Sequence, residues 1–136
     1  MGAEALGEVP IHSESDIVVA RKTAREIGTR LGFGITDVTR IITAASELAR
    51  NIHQYAGSGR MRWRVLQAND RTGLELVFED HGPGIADIDQ AMQEGFSTGG
   101  GLGVGLSGAK RLVDELEIQS EVGKGTTVTV RKWRRQ

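Results

Sequence analysis

Glycine is concentrated in one short stretch of this chain, residues 99–105. Five of these seven positions are glycine, and glycine loses more backbone entropy on ordering than any other residue. The stretch is therefore unfavourable inside a helix or strand and favours a loop that approaches another group closely. Residues 107–116, which follow, have the composition of a helix. A glycine loop leading into a helix exposes unpaired backbone N–H groups, which bind anions such as phosphate.

The composition limits the class of protein. A chain of 136 residues with a net charge of −1 can form one domain with a buried core, and we assign residues 1–136 to a single domain with residues 1–8 flexible. Cysteine is absent, which excludes disulfides and thiolate zinc sites. No apolar run is long enough to span a bilayer, and the N-terminus lacks the pattern of a signal peptide. We expect a cytoplasmic protein that binds neither nucleic acid nor membranes.

Hydrophobic periodicity predicts an α/β sandwich. Helices are predicted at 16–31 (capped by Ser15 or Asp16), 36–56, 87–93 and 105–115. Strands are predicted at 9–12, 61–65, 74–78, 116–122 and 126–130. The sheet is expected to be mixed but mainly antiparallel, with the helices packed on one face and the other face solvated.

Two groups of polar or charged side chains are expected in solvent. The solvated sheet face would carry Arg62, Arg64, Glu75, Glu79, Thr127, Thr129 and Arg131. The basic residues around Trp133 at the C-terminus are expected to form a solvated strand end rather than a nucleic-acid patch.

Glu47 and Asn51 lie four residues apart on the second predicted helix. This spacing places them on one face, one turn apart. A carboxylate can accept a proton from a hydroxyl, and an amide oxygen can bind a hard cation such as Mg²⁺. Ordinary polar pairs at this spacing are also common on solvated helices, so the pair alone does not define a site.

Asp80 continues the apolar face of its predicted strand, where an unpaired charge is unfavourable. Gly82 and Gly84 leave space beside it for a flat aromatic ring whose amino group donates to the carboxylate. The alternative is a turn carboxylate that caps Gly82 or Gly84. Thr126 shares the inward face of the last strand, and its hydroxyl needs a partner. Together with the glycine loop, these groups match the requirements of phosphoryl transfer from a nucleotide.

Four motifs, in this order, resemble those of the GHKL ATP-binding superfamily, which includes gyrase, Hsp90, histidine kinases and MutL. They are the N box at 47–51, the G1 box at 79–85, the G2 box at 101–106 and the Gly-x-Gly-Thr motif at 123–127. Within the superfamily, the chain resembles the RsbT group of serine/threonine kinases over nearly its whole length.

The resemblance implies a Bergerat fold that binds ATP between sheet and helices. Asp80 would accept from the adenine amino group with Thr126 assisting through water, Asn51 would hold Mg²⁺, and Glu47 would act as the catalytic base. The implied nucleotide-binding residues are Asn51, Asp80, Gly82, Gly84, Ile85, Ser97, Thr98, Gly101, Leu102, Gly103, Val104, Gly105, Leu106 and Thr126. Residues 95–101 would form a lid, and we expect 94–101 to be poorly ordered without nucleotide.

The resemblance also implies partners. In the RsbT group the substrate is a serine or threonine of a small STAS-domain antagonist, or of its scaffold relatives in the stressosome, and the released kinase activates a PP2C-type phosphatase. Two alternatives stay open. One is an anti-sigma factor of the same fold that sequesters a sigma factor in a nucleotide-dependent manner, and the other is an ATPase remnant of a larger machine.

Overall fold

The computed structural model describes residues 6–92 and 105–135. The strands are β1 (Leu6–Ile11), β2 (Gly59–Ala68), β3 (Arg71–Asp80), β4 (Glu115–Glu121) and β5 (Gly125–Trp133). The helices are α1 (Glu14–Arg30), α2 (Ile35–Asn51), α3 (Ile88–Ala91) and α4 (Gly105–Leu112). A π-helical turn, Ile52–Ala56, continues α2. None of the helices in these two ranges has the length and apolar character needed to cross a membrane.

The sheet has the strand order β1-β2-β3-β5-β4. Every neighbouring pair of these strands is antiparallel. The predicted sandwich with a mainly antiparallel sheet is confirmed, while the mixed component that we expected is not found among the described strands. Two of the four pairs, β2–β3 and β4–β5, join strands that follow each other directly in the chain, and such hairpins are antiparallel.

The core lies between the sheet and the helices. Phe78 of β3 is opposite Met61 of β2 and Val128 of β5, and all three side chains are buried. Ile41 and Leu48 of α2 are also buried and belong to the same hydrophobic cluster. Because successive strand residues point to opposite faces, this packing covers one face of the sheet, as predicted.

The N-terminal elements begin earlier than the sequence pattern indicates. β1 begins at Leu6 and pairs with β2 from that residue onward, so residues 6–8 are in a strand and not in the flexible segment predicted at 1–8; residues 1–5 lie outside the described part. The cap of α1 is Ser13, whose Oγ accepts from the Asp16 N–H at 3.4 Å. The prediction of Ser15 or Asp16 as the cap is therefore wrong. Asp16 instead accepts from the His12 N–H at 2.8 Å.

Other helix boundaries also differ from the prediction. α2 begins at Ile35 behind a Gly34 cap that makes no side-chain hydrogen bond, and its predicted last turn is π-helical. α4 ends at Leu112 rather than at residue 115, because Glu115 is already paired with Arg131 in the sheet. Tertiary pairing therefore ends this helix before its local propensity would.

Ion pairs cover the second face of the sheet. Glu75 of β3 accepts hydrogen bonds from the Nε atoms of Arg64 and Arg131, each at 2.8 Å, and it is only 5% exposed. Burial would raise the pKa of the Glu75 carboxyl, but these hydrogen bonds and charges outweigh it and hold that pKa below its usual value. Hydrogen bonds to Glu117 and Glu75 raise the pKa of Arg131. The prediction of a solvated face is therefore wrong at Glu75.

The C-terminal end of β5 is packed against the helix layer. Lys132 is 5% exposed, and its Nζ lies 3.5 Å from Asp37 Oδ1 and 3.7 Å from Asp114 Oδ1. Arg134 donates to the Leu31 carbonyl at 2.9 Å. The prediction of a solvated strand end is therefore wrong at Lys132 and Arg134, whereas Arg135 is exposed as expected.

Candidate nucleotide site

Asn51 is the last residue of α2 and lies against the start of α4. A Cβ atom added at Gly105 would lie 3.3 Å from Asn51 Nδ2 and 3.5 Å from Asn51 Oδ1. Glycine at 105 therefore lets the first turn of α4 approach the amide without displacing it. The next residue, Leu106, packs against the core and holds this turn in place. The predicted metal ligand and the end of the predicted phosphate loop are thus neighbours.

Asp80 ends β3 directly opposite Thr126 of β5. Its Oδ1 accepts from the Gly82 N–H at 2.9 Å and from the Thr126 N–H at 3.3 Å. Its Oδ2 accepts no hydrogen bond from any residue in the described ranges. The two interpretations of this carboxylate are compatible, since one oxygen caps the turn and the other is available to a ligand.

The G1 loop after Asp80 packs closely on its neighbours. A Cβ added at Gly82 would lie 2.6 Å from the Cβ of Ala56 in the π-helical turn. Gly84 has a φ of +79°, and a Cβ there would collide with the Glu121 carbonyl oxygen. The turn between β4 and β5 is tied to the same loop, because the Gly123 N–H donates to the Pro83 carbonyl at 2.8 Å. Both glycines are therefore required by close approach.

Ser120 of β4 links the parts of the site. Its Oγ accepts from the Ile85 N–H at 2.7 Å, donates to the Gly125 carbonyl at 3.1 Å and lies 2.8 Å from Thr126 Oγ1. The sequence prediction does not include Ser120 among the site residues. A sign of its role was present, since serine occupies an inward position on a strand whose other inward residues, Leu116 and Ile118, are apolar.

Glu47 lies one helical turn before Asn51, and its side chain is 19% exposed. Its Oε2 accepts from Arg50 Nη1 at 3.0 Å, and Arg50 Nη2 lies 3.4 Å from Ser46 Oγ. The sequence prediction did not include this ion pair. Arg50 holds the Glu47 carboxylate against its own helix, where the carboxylate stays partly accessible to solvent.

Several predicted residues lie outside the described ranges. They are Ser97, Thr98, Gly101, Leu102, Gly103, Val104 and the lid at 94–101. The described part of the site consists of Glu47, Asn51, Asp80, Gly82, Gly84, Ile85, Gly105, Leu106 and Thr126. These residues come from α2, the G1 loop, the start of α4 and the start of β5.

Residues 36–136 match the family described as histidine kinase-, DNA gyrase B- and HSP90-like ATPase. The chain belongs to this ATPase family. The match extends from the first turn of α2 through the last strand, and so contains every residue of the site. Membership implies that the chain uses ATP.

Curated relatives refine the comparison. The chain is 50% identical over 127 residues to the serine/threonine-protein kinase RsbT of Bacillus subtilis, an alignment that covers 93% of this chain and 96% of that protein. It is 32% identical over 120 residues to the anti-sigma F factor of Caldanaerobacter subterraneus subsp. tengcongensis, covering 84% and 82%. The predicted resemblance to the RsbT group is confirmed, and the anti-sigma factors are more distant.

Solved structures support the fold. The RsbU and RsbW domains of a Mycobacterium tuberculosis protein superpose with a TM-score of 0.59 at 22% identity, covering 96% of this chain and 33% of that one. The mycobacterial sensor histidine kinase MprB superposes with a TM-score of 0.58 at 19% identity, covering 95% of this chain and 97% of that one.

Proposed function

We propose that this chain is an ATP-dependent protein serine/threonine kinase that also acts as a regulatory switch. One observation is central: Glu47 and Asn51 occupy successive turns of α2, and Asn51 lies against the start of α4. A carboxylate and an amide thus stand on one helix beside the start of α4, and this supports their proposed roles as proton acceptor and cation ligand. The 50% identity to a serine/threonine-protein kinase over nearly both full lengths supports the same conclusion.

The purine would bind beside Asp80. Its amino group would donate to Oδ2, the oxygen that the described residues leave free, and Thr126 would assist through water. Gly82, Gly84 and Ile85 would supply the wall of the pocket. Ser97 and Thr98 of the lid, with the G2 residues 101–106, would surround the phosphates.

Magnesium would rest on Asn51 together with phosphate oxygens and water. Mg²⁺ keeps several waters and needs few protein ligands when phosphates are present. In residues 6–92 and 105–135 no cluster of three or more His, Cys, Asp or Glu side chains forms a separate metal cage. A single amide ligand beside the phosphate loop fits this mode of binding.

Glu47 would act as the base. Its carboxylate would take the proton of the acceptor serine or threonine hydroxyl as that oxygen bonds to the γ-phosphorus of ATP, while the bond from phosphorus to the β–γ bridging oxygen breaks and ADP leaves. Arg50 binds one carboxylate oxygen, so the other oxygen would take the proton.

We propose as substrates the STAS-domain antagonist and scaffold proteins of a stressosome, and as a further partner a PP2C-type phosphatase, all in the cytoplasm. The resemblance to the RsbT group over most of the chain supports this assignment. Nucleic acid and membranes are not among the proposed partners.

Phosphate transfer to a purified STAS protein tests the proposal. Glu47→Gln removes the base but keeps the side-chain volume, so we expect transfer of radiolabel from ATP to fall by about 100-fold or more. ATP affinity, measured by calorimetry, should stay within about twofold, because Asp80 and Thr126, the proposed purine contacts, lie on β3 and β5 and not on the helix of Glu47. Glu26→Gln, an exposed glutamate on α1, is the matched control and should transfer normally.

Other results would contradict the kinase assignment. Undiminished transfer by Glu47→Gln would show that Glu47 is not the catalytic base. Nucleotide-dependent retention of a sigma factor, without transfer to any STAS protein, would instead favour the anti-sigma role suggested by the relatives at 32% identity. Rapid ATP hydrolysis without a protein substrate would favour an ATPase.

A further inference from the structure

Ser120 forms hydrogen bonds with three groups at the purine side of the site, and their geometry determines where each proton lies. A hydroxyl has one hydrogen to donate and two lone pairs to accept with. The Ile85 N–H can only donate, and it uses one lone pair of Ser120 Oγ at 2.7 Å. The Gly125 carbonyl can only accept, and it takes the Ser120 hydrogen at 3.1 Å.

The third contact follows from the first two. Thr126 Oγ1 lies 2.8 Å from Ser120 Oγ, a distance at which one of the two hydroxyls donates. Because the Ser120 hydrogen goes to Gly125, Thr126 must be the donor. This assignment satisfies all three contacts, and Ser120 then uses its full capacity of one donor and two acceptors.

The consequence lies on the ligand side of Thr126. Its hydroxyl has no hydrogen left, so it presents only lone pairs to the pocket. Asp80 opposite also presents an acceptor, because Oδ1 already binds two backbone N–H groups and Oδ2 is a carboxylate oxygen with no hydrogen-bond donor in the described ranges. Two acceptors side by side suit a ligand group that carries two hydrogens, bound directly or through a water that donates to Thr126.

We propose that Ser120 is a positioning residue that holds the Thr126 hydroxyl as an acceptor and thereby makes the pocket select a 6-amino over a 6-oxo purine nucleotide. The inference rests on the proposed ATP site and adds a determinant of base specificity outside the four motifs. Ser120 acts through Thr126 and through the G1 loop, which it holds by the Ile85 N–H.

The test compares the dissociation constants of ATP and inosine triphosphate, which carries an oxygen in place of the 6-amino group. Wild type should prefer ATP. In Ser120→Ala the Thr126 hydrogen is free to turn toward the ligand and donate to a 6-oxo group. We expect the dissociation constant of inosine triphosphate divided by that of ATP, both measured by calorimetry on the full chain, to fall by about tenfold.

Two control variants separate positioning from simple structural support. Ser120→Thr keeps the hydroxyl on a strand that favours β-branched residues and should restore the wild-type ratio. Gln119→Ala changes the neighbouring exposed residue, which points to the opposite face, and should leave the ratio unchanged. Circular dichroism tests whether each variant is folded.

Each remaining outcome has a defined meaning. A folded Ser120→Ala that keeps the wild-type ratio, or that binds both nucleotides equally more weakly, overturns the inference. Neither result contradicts the proposed ATP site of the wild-type chain. If Ser120→Ala does not fold, Ser120→Cys decides, because its sulfur is only a weak acceptor for the Thr126 hydrogen. A ratio closer to 1 than in wild type supports the inference, and an unchanged ratio overturns it. If wild type binds neither nucleotide, the proposed ATP site itself fails, and the inference fails with it.

Discussion

At the scale of single residues, Asp80 combines an observed structural role with the ligand-binding role that we propose for it. Oδ1 satisfies the N–H groups of Gly82 and Thr126, which closes the turn after β3 and joins it to β5. Oδ2 has no partner in the described ranges. Because the backbone already occupies one oxygen, the orientation of the other is set before any ligand binds.

Asp80→Asn separates the two roles. The amide oxygen can keep both backbone hydrogen bonds, so the free energy of unfolding should change by less than about 1 kcal/mol. The amide NH₂ then replaces Oδ2 and faces the purine amino group donor to donor, and ATP affinity should fall about 10- to 100-fold. Calorimetry with ATP and thermal unfolding check the two parts. Unchanged ATP affinity in a folded variant would show that Oδ2 does not contact the base.

At the scale of elements, the G1 loop and the β4–β5 turn meet at two glycines with nearly equal, positive φ angles. Gly84 has a φ of +79° and Gly123 a φ of +81°. An added Cβ would meet the Glu121 carbonyl at Gly84 but would meet nothing within 4 Å at Gly123. Alanine substitutions at these two positions therefore separate the energetic cost of a left-handed backbone conformation from the cost of a steric collision.

Gly123→Ala should lower the free energy of unfolding by about 1 kcal/mol, the approximate strain of a left-handed alanine. Gly84→Ala adds a collision with backbone that cannot rotate away, and it should cost about 3 kcal/mol or more. Urea denaturation of both variants measures the difference. Equal costs would mean that the loop moves away from β4 without loss of stability.

At the scale of the whole molecule, charge pairs organise the sheet face that the helices leave uncovered. Glu75 at its centre binds two arginines from the strands on either side, and Arg60 and Arg62 bind Glu79 at 2.8 Å each. Arg131 extends the network to Glu115 and Glu117 on the edge strand. Across these strands the arginines of β2 and β5 alternate with the glutamates of β3 and β4.

This network makes stability depend on pH in the acidic range. The pKa of Glu75 in the folded chain lies below its ordinary value of 4.5, so its stabilisation is fully present above that value and is lost as the pH falls through the folded-state pKa. We expect the free energy of unfolding to decrease as the pH falls below about 4.5. Glu75→Gln should flatten this dependence and cost about 1–2 kcal/mol at neutral pH.

Chemical denaturation at a series of pH values checks this expectation. Glu26→Gln on α1 is the control, because that glutamate is exposed, and it should keep the wild-type pH dependence. If Glu75→Gln had the same acid dependence as wild type, the stabilisation would have to reside in other carboxylates, such as Glu115, whose pKa is lowered by the Trp133 indole N–H and by Arg131.

The sequence by itself determined the order of helices and strands, the one-sided packing and the family. These features depend on local periodicity and on motifs within a few residues of each other, such as Glu47 with Asn51 on one helix face. The placement of Asp80 on an inward face also followed from strand alternation alone. The roles of Glu47, Asn51 and Asp80 in the reaction remain predictions.

Tertiary structure alone decided the hydrogen-bond partners of Ser120, the burial of Lys132 and the short α4. Ser120 meets Ile85 across 35 positions of the chain, and Lys132 meets Asp37 through packing of β5 against α2. Such partners depend on strand order and register, which no local pattern encodes. Strand alternation can place a polar residue on the inward face, but a partner that is distant in the chain is defined only when the sheet has formed.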